Sequence, residues 1–149
     1  MRIVLQRVRE AWVCVDQREI ARIGPGLLLF VGIGKEDTAE EILFWAKRIP
    51  EIRVFPDDKG KLNLSLREVK GEILCVSQFT LYGDVLAGRR PSFTQAASAE
   101  LARNLYDLFV QALLAEGVPV KTGVFGAHME VGLVNDGPVT LILERSQGK

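Results

Sequence analysis

The order of strand-like and helix-like segments restricts this chain most. Only two stretches carry helical periodicity, against six or more that read as extended, and the strands come in clusters instead of alternating regularly with helices. That order points to an α+β domain, a compact barrel-like unit of mainly antiparallel or mixed sheet with two principal helices. Met1 to Asp16 and Glu19 to Ile23 read as a hairpin, and Gly24-Pro25-Gly26 turns the chain into the apolar run Leu27 to Ile33. Asp37 with Glu40 resembles a capping box, and Ile42, Trp45, Ala46 and Ile49 recur at helical spacing until Pro50, which predicts a helix near 38–49. Arg53 to Phe55 fits a short strand, Pro56 to Gly60 is turn chemistry, and Ile73 to Leu81 is a strong strand. Ser98 is placed to cap a second helix with the apolar face Leu101, Leu105, Leu108, Phe109, Ala112 and Leu113, stopped by Gly117-Val118-Pro119. Two further extended segments, about Val120 to Val134 and Val139 to Glu144, flank Asn135-Asp136-Gly137-Pro138.

The 149 residues fit a single domain, 1–149, with no linker or repeat, and nearly half are hydrophobic, enough for a real core. No apolar run approaches the roughly 20 residues needed to cross a bilayer, and the start alternates apolar with polar residues, unlike a signal peptide; a cytoplasmic protein without membrane contact is expected. Nineteen basic residues balance nineteen acidic ones, which argues against coating long stretches of DNA or RNA by charge, while a contact confined to one RNA end survives. Cys14 and Cys75 lie in apolar alternating segments without CxxC company, so both are expected to be buried, reduced thiols.

Common catalytic signatures are missing. Gly32-Ile33-Gly34-Lys35-Glu36-Asp37 begins like a dinucleotide fingerprint, but Asp37 stands where a third glycine is needed. There is no GxSxG elbow, Walker A loop or HExxH helix, and one histidine, His128, cannot make a His-rich metal site. No cofactor and no metal are expected. His128 is either a general base or a structural or surface residue, and Arg89-Arg90 either a phosphate contact or a solvated loop.

Two segments say more. Ser77-Gln78-Phe79-Thr80 ends an apolar strand with polar side chains, yet strand alternation sends Ser77 and Thr80 to opposite faces, so acting together requires a bend or main-chain chemistry. No His, Lys or Asp adjoins Thr80 in sequence to activate it as a nucleophile, whereas consecutive backbone N–H groups could bind the oxyanion of an ester intermediate; polar turn residues are the plainer reading. Asn135-Asp136-Gly137-Pro138-Val139-Thr140 reads on its own as a hairpin turn.

Ser77-Gln78-Phe79-Thr80-Leu81 and Asn135-Asp136-Gly137-Pro138-Val139-Thr140 resemble the SQxT and NxGPxT motifs of the D-aminoacyl-tRNA deacylase family. The similarity extends through Gln6-Arg7-Val8, Asn63, Arg90-Pro91-Ser92-Phe93, Tyr106 and Thr122-Gly123, essentially the whole chain. The resemblance implies a homodimer with active sites at the interface, where a cis Gly137-Pro138 from one subunit enters the partner's pocket around Ser77, Gln78, Phe79 and Thr80. The implied substrate is the aminoacylated 3′ end of tRNA, bearing a D-amino acid or glycine. Main-chain groups around Phe79 and Thr80 would hold the oxyanion, and the ribose 2′-OH would assist water. Phe125 matches a position near the adenine, Met129 one in the amino-acid pocket, and Arg7 one that braces the Gly-Pro loop. His128 departs from the acidic residue usual in this stretch. A non-catalytic RNA-end or protein-binding module and a small-molecule esterase remain the alternatives.

Overall fold

The computed structural model describes residues 1–145. In chain order they form β1 (Arg2–Val15), β2 (Arg18–Ile23), β3 (Gly26–Gly32), α1 (Ala39–Arg48), β4 (Phe55–Pro56), β5 (Leu62–Leu64), α2 (Leu66–Val69), β6 (Glu72–Ser77), α3 (Ala99–Ala115), β7 (Val120–Thr122) and β8 (Glu130–Leu143). The main sheet runs β2-β1-β3-β6-β7, with β8 on the other edge of β1, and β4 pairs with β5 apart from it. Pairing is antiparallel among β1, β2, β3 and β8 and parallel from β3 to β6 and from β6 to β7, as a mixed sheet requires. The sheet curls until the Lys121 ammonium on β7 donates to the Arg22 carbonyl on β2 at 2.7 Å, giving the barrel-like α+β architecture.

The β1–β2 hairpin turns through Asp16 and Gln17, both at positive φ, the geometry whose twist matches two-residue hairpins. One sheet face (Ile3, Leu5, Leu27, Leu29, Val31, Ile73) packs against Ile42 and Trp45 of α1 and Leu105, Phe109 and Leu113 of α3. A second cluster gathers Val8, Ala11, Val13, Ile23, Leu28, Leu74 and Val76. Both long strands feed both cores because they change faces together. Between the pairs Gln6–Thr140 and Val8–Asn135, β1 advances two residues while β8 advances five; between Val8–Asn135 and Glu10–Val134, β1 advances two and β8 one. An odd surplus in each strand reverses which side its alternate residues face. Leu141 and Leu143 therefore meet the helices, and Val131 and Leu133 of the same strand meet the second cluster.

Several details depart from the sequence reading. The segment 135–138 is no hairpin turn: β8 continues through it, and both flanks pair with the same strand, β1. The strand expected over Ile73 to Leu81 ends at Ser77. α1 is capped at Thr38 without a side-chain bond, while Asp37 instead accepts from the Gly34 N–H at 2.7 Å. A true capping box lies unforeseen at Ser65 and Glu68, starting α2. Pro50 ends α1 but sits within a 3₁₀ turn, Ile49–Glu51. Ser98 does cap α3, accepting from the Leu101 N–H at 3.2 Å. Cys75 is buried, but Cys14 is only half-buried because β1 turns that position toward the partly open face.

Candidate active site

At the carboxyl ends of the parallel strands β3 and β6 the chain leaves a cleft of about 510 Å³. This is where ligands commonly enter sheets with parallel strands, and the size suits a small ligand or one end of a larger one. Ser77, Gln78 and Phe79 form one wall, Ile33 and Val76 the floor, and Phe125, Gly126, Ala127, His128 and Met129 of the β7–β8 connection the opposite wall. Ala97, Ala99 and Ala102, at the start of α3, complete it. These small side chains leave room for the opening, and the alanine-rich run Ala96-Ala97-Ser98-Ala99 is its signal in the sequence.

The polar strand end bends as strand alternation demanded. Gln78 stays tied to β3, its N–H donating to the Val31 carbonyl at 2.8 Å. Its own torsions (φ −144°, ψ 78°) leave the extended region, and Phe79–Tyr82 form a 3₁₀ turn. The first N–H groups of such a turn have no partner inside it. Among the described residues those of Phe79 and Thr80 have no acceptor at all, whereas the Leu81 N–H returns to the Gln78 carbonyl at 3.2 Å. The Thr80 hydroxyl accepts from the Gln78 side-chain amide and does not line the cleft. Phe79 is 54 % exposed, its ring 5.0 Å from that of Phe93.

Ser77, Gln78, Phe79, Phe125 and Met129 are thus brought together, with Thr80 alongside. Arg7, Gly137 and Pro138 are not part of this cleft in their own chain. Arg7 is buried; its Nε donates to the Asp136 carbonyl at 2.8 Å and one Nη to the Val54 carbonyl at 2.7 Å. The Asn135 side chain accepts from the Val139 N–H at 2.9 Å and donates to the Val139 carbonyl at 3.1 Å. Between these ties Asp136, Gly137 and Pro138 are exposed, with the Gly137–Pro138 bond cis.

Electrostatically the cleft is plain: no Asp, Glu, Lys or Arg lines it, and His128 stands exposed at the rim. Among the described residues no cluster of His, Cys, Asp or Glu could hold a metal ion, and no helix is long and apolar enough to cross a membrane. Behind the cleft, burial pushes the Cys75 thiol up to about 12, the Tyr106 hydroxyl pulling weakly the other way. Burial and the neighbouring Cys75 also raise Tyr106, whose hydroxyl donates to the Cys75 carbonyl at 2.9 Å. Gly34, of the broken dinucleotide fingerprint, serves packing: a methyl there would lie 2.8 Å from the Tyr82 hydroxyl.

Fold and cleft define a small α+β domain with an open cleft at the ends of parallel strands, and with unbonded main-chain donors instead of a side-chain triad beside it. The family profile described as D-Tyr-tRNA(Tyr) deacylase matches residues 4–144. A D-aminoacyl-tRNA deacylase of Exiguobacterium sp. is 53% identical over 146 residues, covering 98% of this chain and 99% of the relative. The D-aminoacyl-tRNA deacylase of Thermotoga petrophila is 51% identical over 147 residues, covering 99% of each. Among solved structures, a c-Myc DNA unwinding element binding protein superposes with a TM-score of 0.92 at 42% identity, covering 98% of this chain and 99% of that one. A probable eukaryotic D-amino acid tRNA deacylase shares the fold, with a TM-score of 0.82 at 22% identity over 95% of this chain and 97% of that one. The chain belongs to the D-Tyr-tRNA(Tyr) deacylase family.

Proposed function

We propose that this protein is an aminoacyl-tRNA deacylase that hydrolyses the ester of D-aminoacyl-tRNA in the cytoplasm, and that glycine charged on tRNA is a second substrate. Beyond the family, one observation carries the mechanism: the unbonded N–H groups of Phe79 and Thr80 stand beside a preformed cleft. Water adds to the ester carbonyl carbon with help from the ribose 2′-OH, and the carbonyl oxygen takes negative charge between these donors. Collapse expels the ribose 3′-oxygen, which keeps a proton from the water, and D-amino acid and tRNA leave. Each well-placed donor to such an oxyanion contributes roughly 3 kcal/mol. Ser77 and Gln78 shape the wall, Phe125 receives the adenine and Met129 the amino acid.

Discrimination between mirror images belongs in this reading to a second copy. The Gly137-Pro138 loop is exposed, anchored by Arg7 and apart from its own cleft, as suits a segment that completes the partner's site in a homodimer. Backbone carbonyls of that loop would occupy the space of an L side chain, while glycine would pass. The test compares D-aminoacyl-tRNA, L-aminoacyl-tRNA and a free D-amino-acid ester. Hydrolysis of the first alone is expected. Binding without turnover would favour a recognition module, and equal turnover of the free ester a small-molecule esterase.

A further inference from the structure

Phe125 has a second side. Beyond it lies another cleft, of about 400 Å³, lined by Arg103, Tyr106, Asp107, Gln111, Thr122 and Phe125. Its helical members recur on one face of α3, the helix whose first turns line the first cleft through Ala99 and Ala102. One aromatic wall and one helix therefore serve both cavities in succession.

The chemistry changes along the way. The first cleft is apolar, whereas the second offers a guanidinium, a carboxylate and an amide. The Arg103 guanidinium lies 4.7 Å from the Phe125 ring centroid, and among the described residues no carboxylate pairs with it. Asp107 follows one turn later on the same face without forming an ion pair to it. A cation held over an aromatic ring, with its hydrogen-bond donors free, suits a phosphodiester. The Asp107 carboxylate and Gln111 amide suit the edge of a base, carboxylates accepting from the amino group of cytosine.

We infer that this second cleft binds the nucleotide immediately 5′ of the terminal adenosine, with Arg103 holding the phosphate between the two. The inference rests on the deacylase reading and adds a subsite to it. A single-stranded RNA end combines stacking on aromatic rings with backbone charge contacts, and Phe125 with Arg103 supplies both where the strand must leave the first cleft.

The test uses two non-hydrolysable ligands on the full chain: a D-phenylalanyl amide of 3′-amino-3′-deoxyadenosine, and the same amide ending a CCA trinucleotide. The trinucleotide should bind about tenfold more tightly than the nucleoside, in line with a charge-assisted contact plus a stacked base. Arg103→Ala should cut that advantage to about twofold and flatten the log–log salt slope by roughly 0.7, the value for one phosphate on a single strand. Arg103→Lys should restore part of the advantage, and Gln111→Ala should reduce it. Equal weakening of both ligands by Arg103→Ala would mean that Arg103 only orders Phe125, and an undiminished advantage would mean that it contacts nothing; either overturns the subsite. Hydrolysis of D-aminoacyl-tRNA by the wild-type chain is scored separately: turnover without a trinucleotide advantage removes the subsite alone, and no turnover removes the reading beneath it as well.

Discussion

Gly123 has no room for a methyl group: a Cβ there would lie 2.6 Å from the Met129 sulfur. The conflict is with a flexible side chain, so the cost falls on the cleft that Met129 lines more than on the fold. Gly123→Ala should raise KM for D-aminoacyl-tRNA by roughly fivefold, on the scale of a modest overpacking penalty, with a melting temperature close to the parent's. Thr80 makes the opposite case, since its hydroxyl only accepts from the Gln78 amide and does not reach the cleft. Thr80→Ala keeps the backbone donor and should lower kcat by less than about tenfold, below the usual loss for removing an oxyanion donor. Abolished turnover in a folded variant, or a trapped acyl-Thr80 ester, would restore the nucleophile model.

At the level of elements, α2 is only four residues long and depends on its cap. The Ser65 side chain accepts from the Glu68 N–H at 3.2 Å while Glu68 accepts from the Ser65 N–H at 3.1 Å. Ser65→Ala should destabilise the protein by about 1 kcal/mol, read as a lower urea midpoint with an unchanged slope. The serine and glutamate stand three apart in the sequence as any capping box does, but a single turn offers no apolar periodicity, so α2 was illegible. α3 was legible because its cap and its stripe from Leu101 to Leu113 agree. β8 was misread for the reverse reason. Asn135 to Pro138 carry every local sign of a turn, and only pairing with a distant strand shows that the chain resumes its course. The motif residues Ser77 to Thr80 were findable at once as an oddity, while the bend that frees two N–H groups depends on how the Gln78 N–H is held by Val31.

At the scale of the whole molecule, the buried Cys75–Tyr106 contact makes stability depend on alkaline pH. The Cys75 thiol, near 9 when exposed, is pushed up to about 12 in the folded chain, and Tyr106 is raised as well. A pKa raised by folding means that the unfolded chain loses its proton first, so stability is fully present below pH 9 and declines as pH rises from there toward 12. The urea midpoint should be flat from pH 7 to 8.5 and fall steadily by pH 10.5, with a shallower fall in Cys75→Ala even though that variant starts lower. A flat profile in the parent would contradict it. A different consequence follows from the surplus residues of β8. Because Asn135 and Thr140 are each paired with β1 on their own account, the exposed segment between them can gain or lose residues in pairs without moving either flank, whereas Gly137, where a Cβ would lie 2.7 Å from the Val139 nitrogen, cannot take a side chain. Arg9 has no such freedom: removing the one surplus residue of β1 would send Ala11 and Val13 to the wrong core. The protein therefore carries this exposed motif as a cassette that can change around Gly137 in even steps without asking the barrel to refold.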